Sequence, residues 1–483
     1  MVDLLRPILL INGLFLLILG VGMLFPALVD VAVDNPDWQV FAICAGFVMF
    51  VGGMLFLTNR GDAEELSIQQ AFILTVSTWV IIPIFAALPF VYSDLALSYT
   101  DAFFEAMSGL STTGSTVITG LDGAPPGILL WRALLQWFGG VGIIIMAVII
   151  LPFLRVGGMQ LFKIGAFNTA EKVLPRAAQL GMAISLLYVG LTIICAVALW
   201  AAGMSLFEAV CHAFTTIATG GYSTSDGSVG HFDSALIDYI IVLFMIIGSM
   251  PFILYLKMVQ GHSLIFWRDS QVRWFLALLL VLISILSLWR WGNGEQAMTE
   301  ILRYTIFNVV SILTGTGFAT ADYTTWGSLA VVFFFFIMFI GGCAGSTSCG
   351  IKIFRFQVLV SMVVANFRHL LRPSGIFIPR YNGMPIGDDV LGSVISYFFL
   401  FLTCFLILTF ALSLTGLDFV TAISGAGSAI SNVGPALGHI IGPTGTFQSL
   451  PDAAKWFLTV GMLMGRLELF AVLILFSPQF WRA

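Results

Sequence analysis

The sequence predicts an all-α integral membrane protein of four covalently linked span, pore-helix, span repeats around a central pore, preceded by two extra N-terminal transmembrane helices. Three observations predict it. First, 59% of the 483 residues are hydrophobic and 9% charged, with a mean hydropathy of +1.02, which leaves too little polar surface to cover a water-soluble globule. Second, ten apolar stretches approach the roughly 20 residues that a helix needs to cross a bilayer, and none shows the alternating polarity of a barrel strand. Third, four 14-residue stretches align without gaps and each ends in glycine: DAFFEAMSGLSTTG (101 to 114), EAVCHAFTTIATGG (208 to 221), YTIFNVVSILTGTG (304 to 317) and TAISGAGSAISNVG (421 to 434).

The elements follow in chain order. Residues 1–66 hold two spans, near 8–28 and 38–58. The first is too long for a signal core and has no small-residue cleavage site, so it is expected to stay as a helix. The first repeat, 67–176, has spans near 70–91 and 128–154 around a short run near 100–110. The second, 177–268, has spans near 180–202 and 235–257 around 206–217. The third, 269–380, has spans near 273–291 and 328–355 around 300–313, and the fourth, 381–483, has 390–415 and 454–477 around 418–430. The four short runs are below spanning length and read as re-entrant half-helices. Terminal glycines about 100 residues apart leave room in each unit for span, half-helix and span, the pattern of an internally duplicated pore unit.

Charge placement orients the chain. With a cytoplasmic N-terminus, fifteen of the twenty Lys and Arg fall inside, among them Arg6, Arg60, Arg155, Lys163, Lys172 and Arg176, and four (Arg132, Arg290, Arg303, Lys455) fall outside. Arg466 lies within a span. The four half-helix tails then open to the outside.

Non-helical backbone at membrane depth leaves carbonyls unsatisfied unless it is buried in protein or lines a wet cavity. Four tails can share one cavity, aim their carbonyls at a common axis and replace the hydration shell of a cation, with the negative dipole ends of the half-helices pointing inward. Glycine permits the backbone angles such a tail needs. The tails hold no carboxylate, whereas divalent-selective pores use acidic rings, so a weakly hydrated monovalent ion such as potassium is the natural candidate.

Two further features stand out. Gly341, Gly342, Cys343, Ala344, Gly345, Ser346, Thr347, Ser348, Cys349 and Gly350 interrupt an otherwise continuous apolar helix from about Ser328. Such a run either breaks the helix or allows a close helix crossing. Arg466 sits mid-span, where a cation costs about 2.5 to 3.5 kcal/mol. Glu468, two positions on, faces another side of the helix, so carbonyls, water or a carboxylate on a neighbouring helix must serve Arg466.

The repeated unit, together with GGCAGSTSCGIK (341 to 352) and MGRLELF (464 to 470), resembles the TrkH branch of the Trk/Ktr/HKT potassium transporters over nearly the whole chain. The resemblance implies potassium uptake across a bacterial inner membrane by a multi-pass homodimer in which each subunit carries its own pore. The implied filter comprises Ser111, Thr112, Thr113 and Gly114; Ala218, Thr219, Gly220 and Gly221; Thr314, Gly315, Thr316 and Gly317; and Ser431, Asn432, Val433 and Gly434, binding K+ mostly through backbone oxygens. In plant relatives a serine at the first of these glycines accompanies sodium transport, so Gly114 favours potassium. The 341–350 run is implied to be an intramembrane gate and Arg466 a charge barrier beside it. Relatives often carry a glycine run where Ser348, Cys349 and Gly350 stand.

The resemblance also implies a cytosolic TrkA-type regulatory partner that binds the nucleotide, NAD(H) or ATP/ADP. The basic tracts 160–176 and 366–383 are its implied docking face. This chain has no GxGxxG strand-to-helix fingerprint and no cofactor of its own. A proton- or sodium-coupled symporter remains an alternative to a gated channel, as does a non-transporting membrane sensor. No His, Cys and Asp constellation supports catalysis, the six cysteines lack metal spacing, and a net charge of -5 argues against a nucleic-acid partner. Asp101, Glu105 and Glu208 are expected at the starts of the first two half-helices, where they complement the dipole.

Overall fold

The computed structural model describes residues 2–61, 66–150, 158–162, 173–294 and 297–482. Arg155, Lys163, Lys172, the end of the expected span 128–154 and most of the basic tract 160–176 lie outside the described residues.

The first two helices, Val2–Ala32 and Trp38–Thr58, pack on each other through glycine. A Cβ on Gly13 would lie 2.7 Å from Phe56 N and one on Gly20 2.5 Å from the Met49 side chain, so the helices run antiparallel in close contact. Each later quarter of the chain opens with a long helix: Ile68–Ala86 continuing into Leu88–Tyr92, then Val173–Ala201, Ser270–Gly292 and Asp388–Leu414. Ile43, Leu57, Leu186, Leu280, Phe399 and Phe410 project from these helices exposed, as residues facing acyl chains would.

A short helix follows in each quarter: Tyr99–Leu110, Leu206–Ile217, Met298–Thr314 and Phe419–Ser431, matching the four expected half-helices to within a few residues. Three have side-chain caps. Ser98 accepts from Asp101 N, Ser205 forms a capping box with Glu208, and Asp418 accepts from the N–H groups of Val420 and Thr421. A hydrogen bond from the Thr421 side chain, with those from the N–H groups of Thr421 and Val420, holds the exposed Asp418 carboxyl below the usual carboxylate range.

The returning segments differ from expectation. Seven described helices are long and apolar enough to cross a membrane, or nine if each of two bent pairs counts as one span, rather than ten. Every returning segment is interrupted. Pro126–Ile145 passes into a π turn at Met146–Ile150. Ala235–Gly248 turns by 91° into Phe252–Val259, where Pro251 lacks the N–H that would continue the helix. The expected span 328–355 is two helices, Ser328–Ile337 and Ile353–Leu371, separated by the small-residue run. Asp452–Arg466 turns by 108° into Phe470–Phe476 through Glu468 and Leu469, both at positive φ. One hairpin departs from the all-α expectation: Arg380–Tyr381 pairs with Met384–Pro385 across Asn382-Gly383, both at positive φ.

The buried side chains form two clusters. One joins the first two helices to the first and fourth quarters around Phe41, Phe90, Phe104 and Trp131, and the other joins the second and third around Tyr188, Phe252, Phe275 and Phe307.

Candidate functional site

Unlike tail sequences adopt one backbone course. In every tail the residue two before the terminal glycine is left-handed: Thr112 (φ 52), Thr219 (φ 49), Gly315 (φ 73) and Asn432 (φ 52). The terminal glycines are left-handed too, at φ 88, 80, 83 and 103 for Gly114, Gly221, Gly317 and Gly434. A β-branched threonine rarely occupies this region, so Thr112 and Thr219 store strain that the surroundings must hold. The same backbone bond recurs beside it: the N–H groups of Thr113, Gly220, Thr316 and Val433 donate to the carbonyls of Ser108, Thr215, Ser311 and Ser428 at 2.8 to 3.1 Å.

The four tails close into a ring. A Cβ on Gly114 would lie 2.3 Å from Gly220 O, one on Gly221 1.9 Å from Thr316 O, one on Gly317 2.1 Å from Val433 O, and one on Gly434 2.6 Å from Thr113 O. Each glycine thus rests on the carbonyl that precedes the next glycine, and the fourth returns to the first. Any side chain there would enter its neighbour's carbonyl.

Behind the ring, side chains tie each short helix to its own tail. Glu105 pairs with Arg132 at 2.8 Å and also accepts from Val117 N and Thr116 Oγ1. Arg132 donates to Ser223 O and Thr116 Oγ1 and lies 4.1 Å from the centre of the Tyr222 ring. At the aligned position of the second tail, His212 Nδ1 must donate to Glu208 O, which leaves Nε2 to accept from Ser223 Oγ at 3.0 Å. In the third, Asn308 Nδ2 donates to Thr320 Oγ1 at 3.0 Å. The fourth has Gly425 there, and the neighbouring Ser424 accepts from Leu437 N. Glu105 is therefore not a helix-start residue as expected; it is fully buried mid-helix. Asp101 and Glu208 do stand in first turns, Asp101 paired with Lys455.

One face of the ring opens to a cavity of about 260 Å³ lined by Gly114, Gly221, Gly317 and Gly434 with Thr116, Asp226 and Thr446. The other face meets the small-residue loop. Its neck is closed by a parallel bridge between Ile340 and Ile351. Its arms fill the break in Ala235–Phe252: Cys343 N donates to Ser249 O, the N–H and hydroxyl of Thr347 to Gly248 O, and Phe252 N to Gly345 O. The loop thereby satisfies carbonyls that the helix end leaves orphaned. Its second arm, next to the neck, touches the ring tails, with Ser348 Oγ donating to Thr314 O at 2.6 Å and Cys349 Sγ 3.7 Å from Thr112 Oγ1.

Arg466 enters from the bent fourth returning segment and is buried. It donates to Thr347 O, Gly139 O and Cys349 Sγ, so carbonyls and a sulfur serve it. Glu468 pairs instead with Arg355, which stacks 3.7 Å from the centre of the Tyr397 ring. Lys352 Nζ donates to Ser348 O. Arg466, Lys352 and Glu468 line a cavity of about 20 Å³ under the loop, room for about one water.

All sixteen tail residues named from the sequence come together here, as do Gly341 through Gly350 and Arg466. Sequence reasoning missed the Glu105–Arg132 pair, Gln136, Asn308 and the roles of Lys352, Arg355 and Glu468. The available signal was the presence of buried-type charges and amides within apolar runs, which names no partner.

The comparisons agree over the full length. The family model for TrkH, described as a cation transport protein, matches residues 38–483. The chain is 44% identical over 477 residues to the Trk system potassium uptake protein TrkI of Halomonas elongata, covering 99% of this chain and 97% of that protein. It is 37% identical over 482 residues to the Trk system potassium uptake protein TrkH of Escherichia coli K12, covering 99% of both. The crystal structure of the potassium transporter TrkH from Vibrio parahaemolyticus superposes with a TM-score of 0.91 at 36% identity, covering 99% of each chain.

Proposed function

We propose, from the premise that this chain belongs to the TrkH family of cation transport proteins, that it takes up potassium through the four-tail ring. The chain is a multi-pass membrane transporter and not an enzyme. The observation that carries the finer reading is the closure of the ring: four glycines, one per tail, each seated on the carbonyl before the next. Alternating left-handed positions turn successive carbonyls of a tail toward one side instead of alternating as in a strand. Four such tails supply a cage of backbone oxygens for a partly dehydrated K+. The four repeats around one pore, with boundaries at 67–176, 177–268, 269–380 and 381–483, are part of the same reading.

The loop Gly341–Gly350 is the gate and Arg466 its charge barrier. Support comes from the position of the loop against Thr314 and Thr112, and, among the described residues, from three buried cations, Arg466, Lys352 and Arg355, set against one buried carboxylate, Glu468, on that side. A net positive field there opposes cation passage until the loop moves. The N-terminus is cytoplasmic, following the Lys and Arg asymmetry, and the 260 Å³ cavity is then the outer mouth. A TrkA-type nucleotide-binding partner on the basic face and pairing of two chains, each with its own ring, complete the proposal.

Rubidium uptake into reconstituted vesicles, with sodium as competitor and nucleotide-loaded TrkA added or omitted, tests it. Arg466→Ala is expected to raise basal flux about tenfold and to weaken dependence on the partner, since removing a buried charge near the ion path is worth on the order of 1.4 kcal/mol or more. Unchanged basal and regulated flux in that variant sinks the barrier reading. A reversal potential that follows potassium alone across imposed proton and sodium gradients supports a gated channel, and a shift with either gradient means coupled symport.

A further inference from the structure

The ring has an unequal member. Gln136, fully buried on Pro126–Ile145, donates from Nε2 to Gly220 O at 2.6 Å. Its Oε1 accepts from Tyr222 N at 3.0 Å. One amide therefore grips the second tail on both sides of Gly221. A Cβ on Gly220 would lie 2.4 Å from that amide, so the side chain sits flush against the backbone. Among the described residues, Gly220 O alone of the four ring carbonyls accepts a hydrogen bond from protein: Thr113 O, Thr316 O and Val433 O have no donor.

We infer that Gln136 is a positioning residue that sets ion discrimination by tying down one of the four ring carbonyls. The inference rests on the filter reading above and deepens it. A carbonyl that already accepts a short bond offers less of its negative charge to an ion. It is also held at a fixed distance from the axis, because Gln136 is itself fixed by Tyr222, and Tyr222 is fixed by donating its hydroxyl to Glu105 O and Ser115 O. Both effects penalise the smaller ion. A strong-field, mobile carbonyl can close on sodium, whereas a weakened, anchored one cannot. The opposing carbonyl in the ring order 113, 220, 316, 433 is Val433 O, which has no such tie.

Two measurements decide it. Gln136→Met removes donor and acceptor at similar volume. Rubidium uptake should persist within a few-fold while potassium-over-sodium discrimination falls roughly three- to tenfold, the factor that one net hydrogen bond corresponds to. An active Gln136→Met transporter with wild-type discrimination overturns the inference. Where that variant is not recovered folded, wild-type protein decides: anomalous scattering from bound rubidium should place the ion nearer Val433 O than Gly220 O, and a centred ion overturns the inference. Gly114→Ser separates this from failure of the filter itself. If Gly114→Ser leaves discrimination intact, the ring is not the filter. If Gly114→Ser alters discrimination and Gln136→Met does not, only the role of Gln136 falls.

Discussion

The ring and the loop beneath it both rest on backbone bonds, and they differ in how much side chains add. Four different sequences, STTG, ATGG, TGTG and SNVG, reach one backbone course in the ring, and what they share is handedness at two positions and one backbone hydrogen bond. The loop occurs once: backbone bonds seat its neck and its contact with the Gly248–Phe252 break, and four single side-chain bonds add to them, Ser348 on Thr314 O, Gln271 on Ala344 N, Lys352 on Ser348 O and Arg466 on Thr347 O. A structure fixed by backbone tolerates side-chain change but not a Cβ in the wrong place. Side-chain bonds, unlike the repeated backbone course, can be released one at a time, which would suit the proposed gate.

Substitutions can break or sharpen that contrast. The largest effect is expected from Gly317→Ala, whose Cβ would lie 2.1 Å from Val433 O at a left-handed φ. Rubidium uptake should fall about 100-fold or more, because neither the backbone angle nor the carbonyl can yield without opening the ring. Near-normal uptake would mean that the ring is softer than its packing implies. Glu105→Gln comes next. It leaves Arg132 buried without its charge partner, at a cost of about 3 to 5 kcal/mol, and should lower the thermal midpoint of the purified protein. The smallest is Ser348→Ala, which removes one bond to Thr314 O and one from Gly342 N. With about 1 kcal/mol at stake, basal flux should rise two- to fivefold with discrimination unchanged. A change in discrimination with no change in basal flux would place Ser348 with the ring instead of the proposed gate.

Much of this was legible beforehand. The short helices fall where the apolar runs drop below spanning length, and the terminal glycines lie where only φ above zero and no Cβ will do. The spans are less legible. Residues 235–257, 328–355 and 454–477 are apolar throughout by average, and hydropathy does not register that Pro251, the glycines of the loop or Leu469 break the helix. Glu105 reads as a helix-start residue because the sequence offers only local information about it. Its true environment depends on Arg132, 27 residues away, and on Tyr222, 117 away.

The sequence by itself determined that this chain lives in a membrane, that one unit recurs four times, and that each unit ends in a glycine-terminated break, because hydrophobicity and periodicity are sums over neighbours along the chain. Only the tertiary structure decided that the four breaks close on one another in order, that Gln136 holds one of the four carbonyls, and that Glu468 answers Arg355 instead of Arg466. Those choices depend on distances of about 3 Å between residues up to a few hundred positions apart, and short-range forces between such residues leave no trace in local composition.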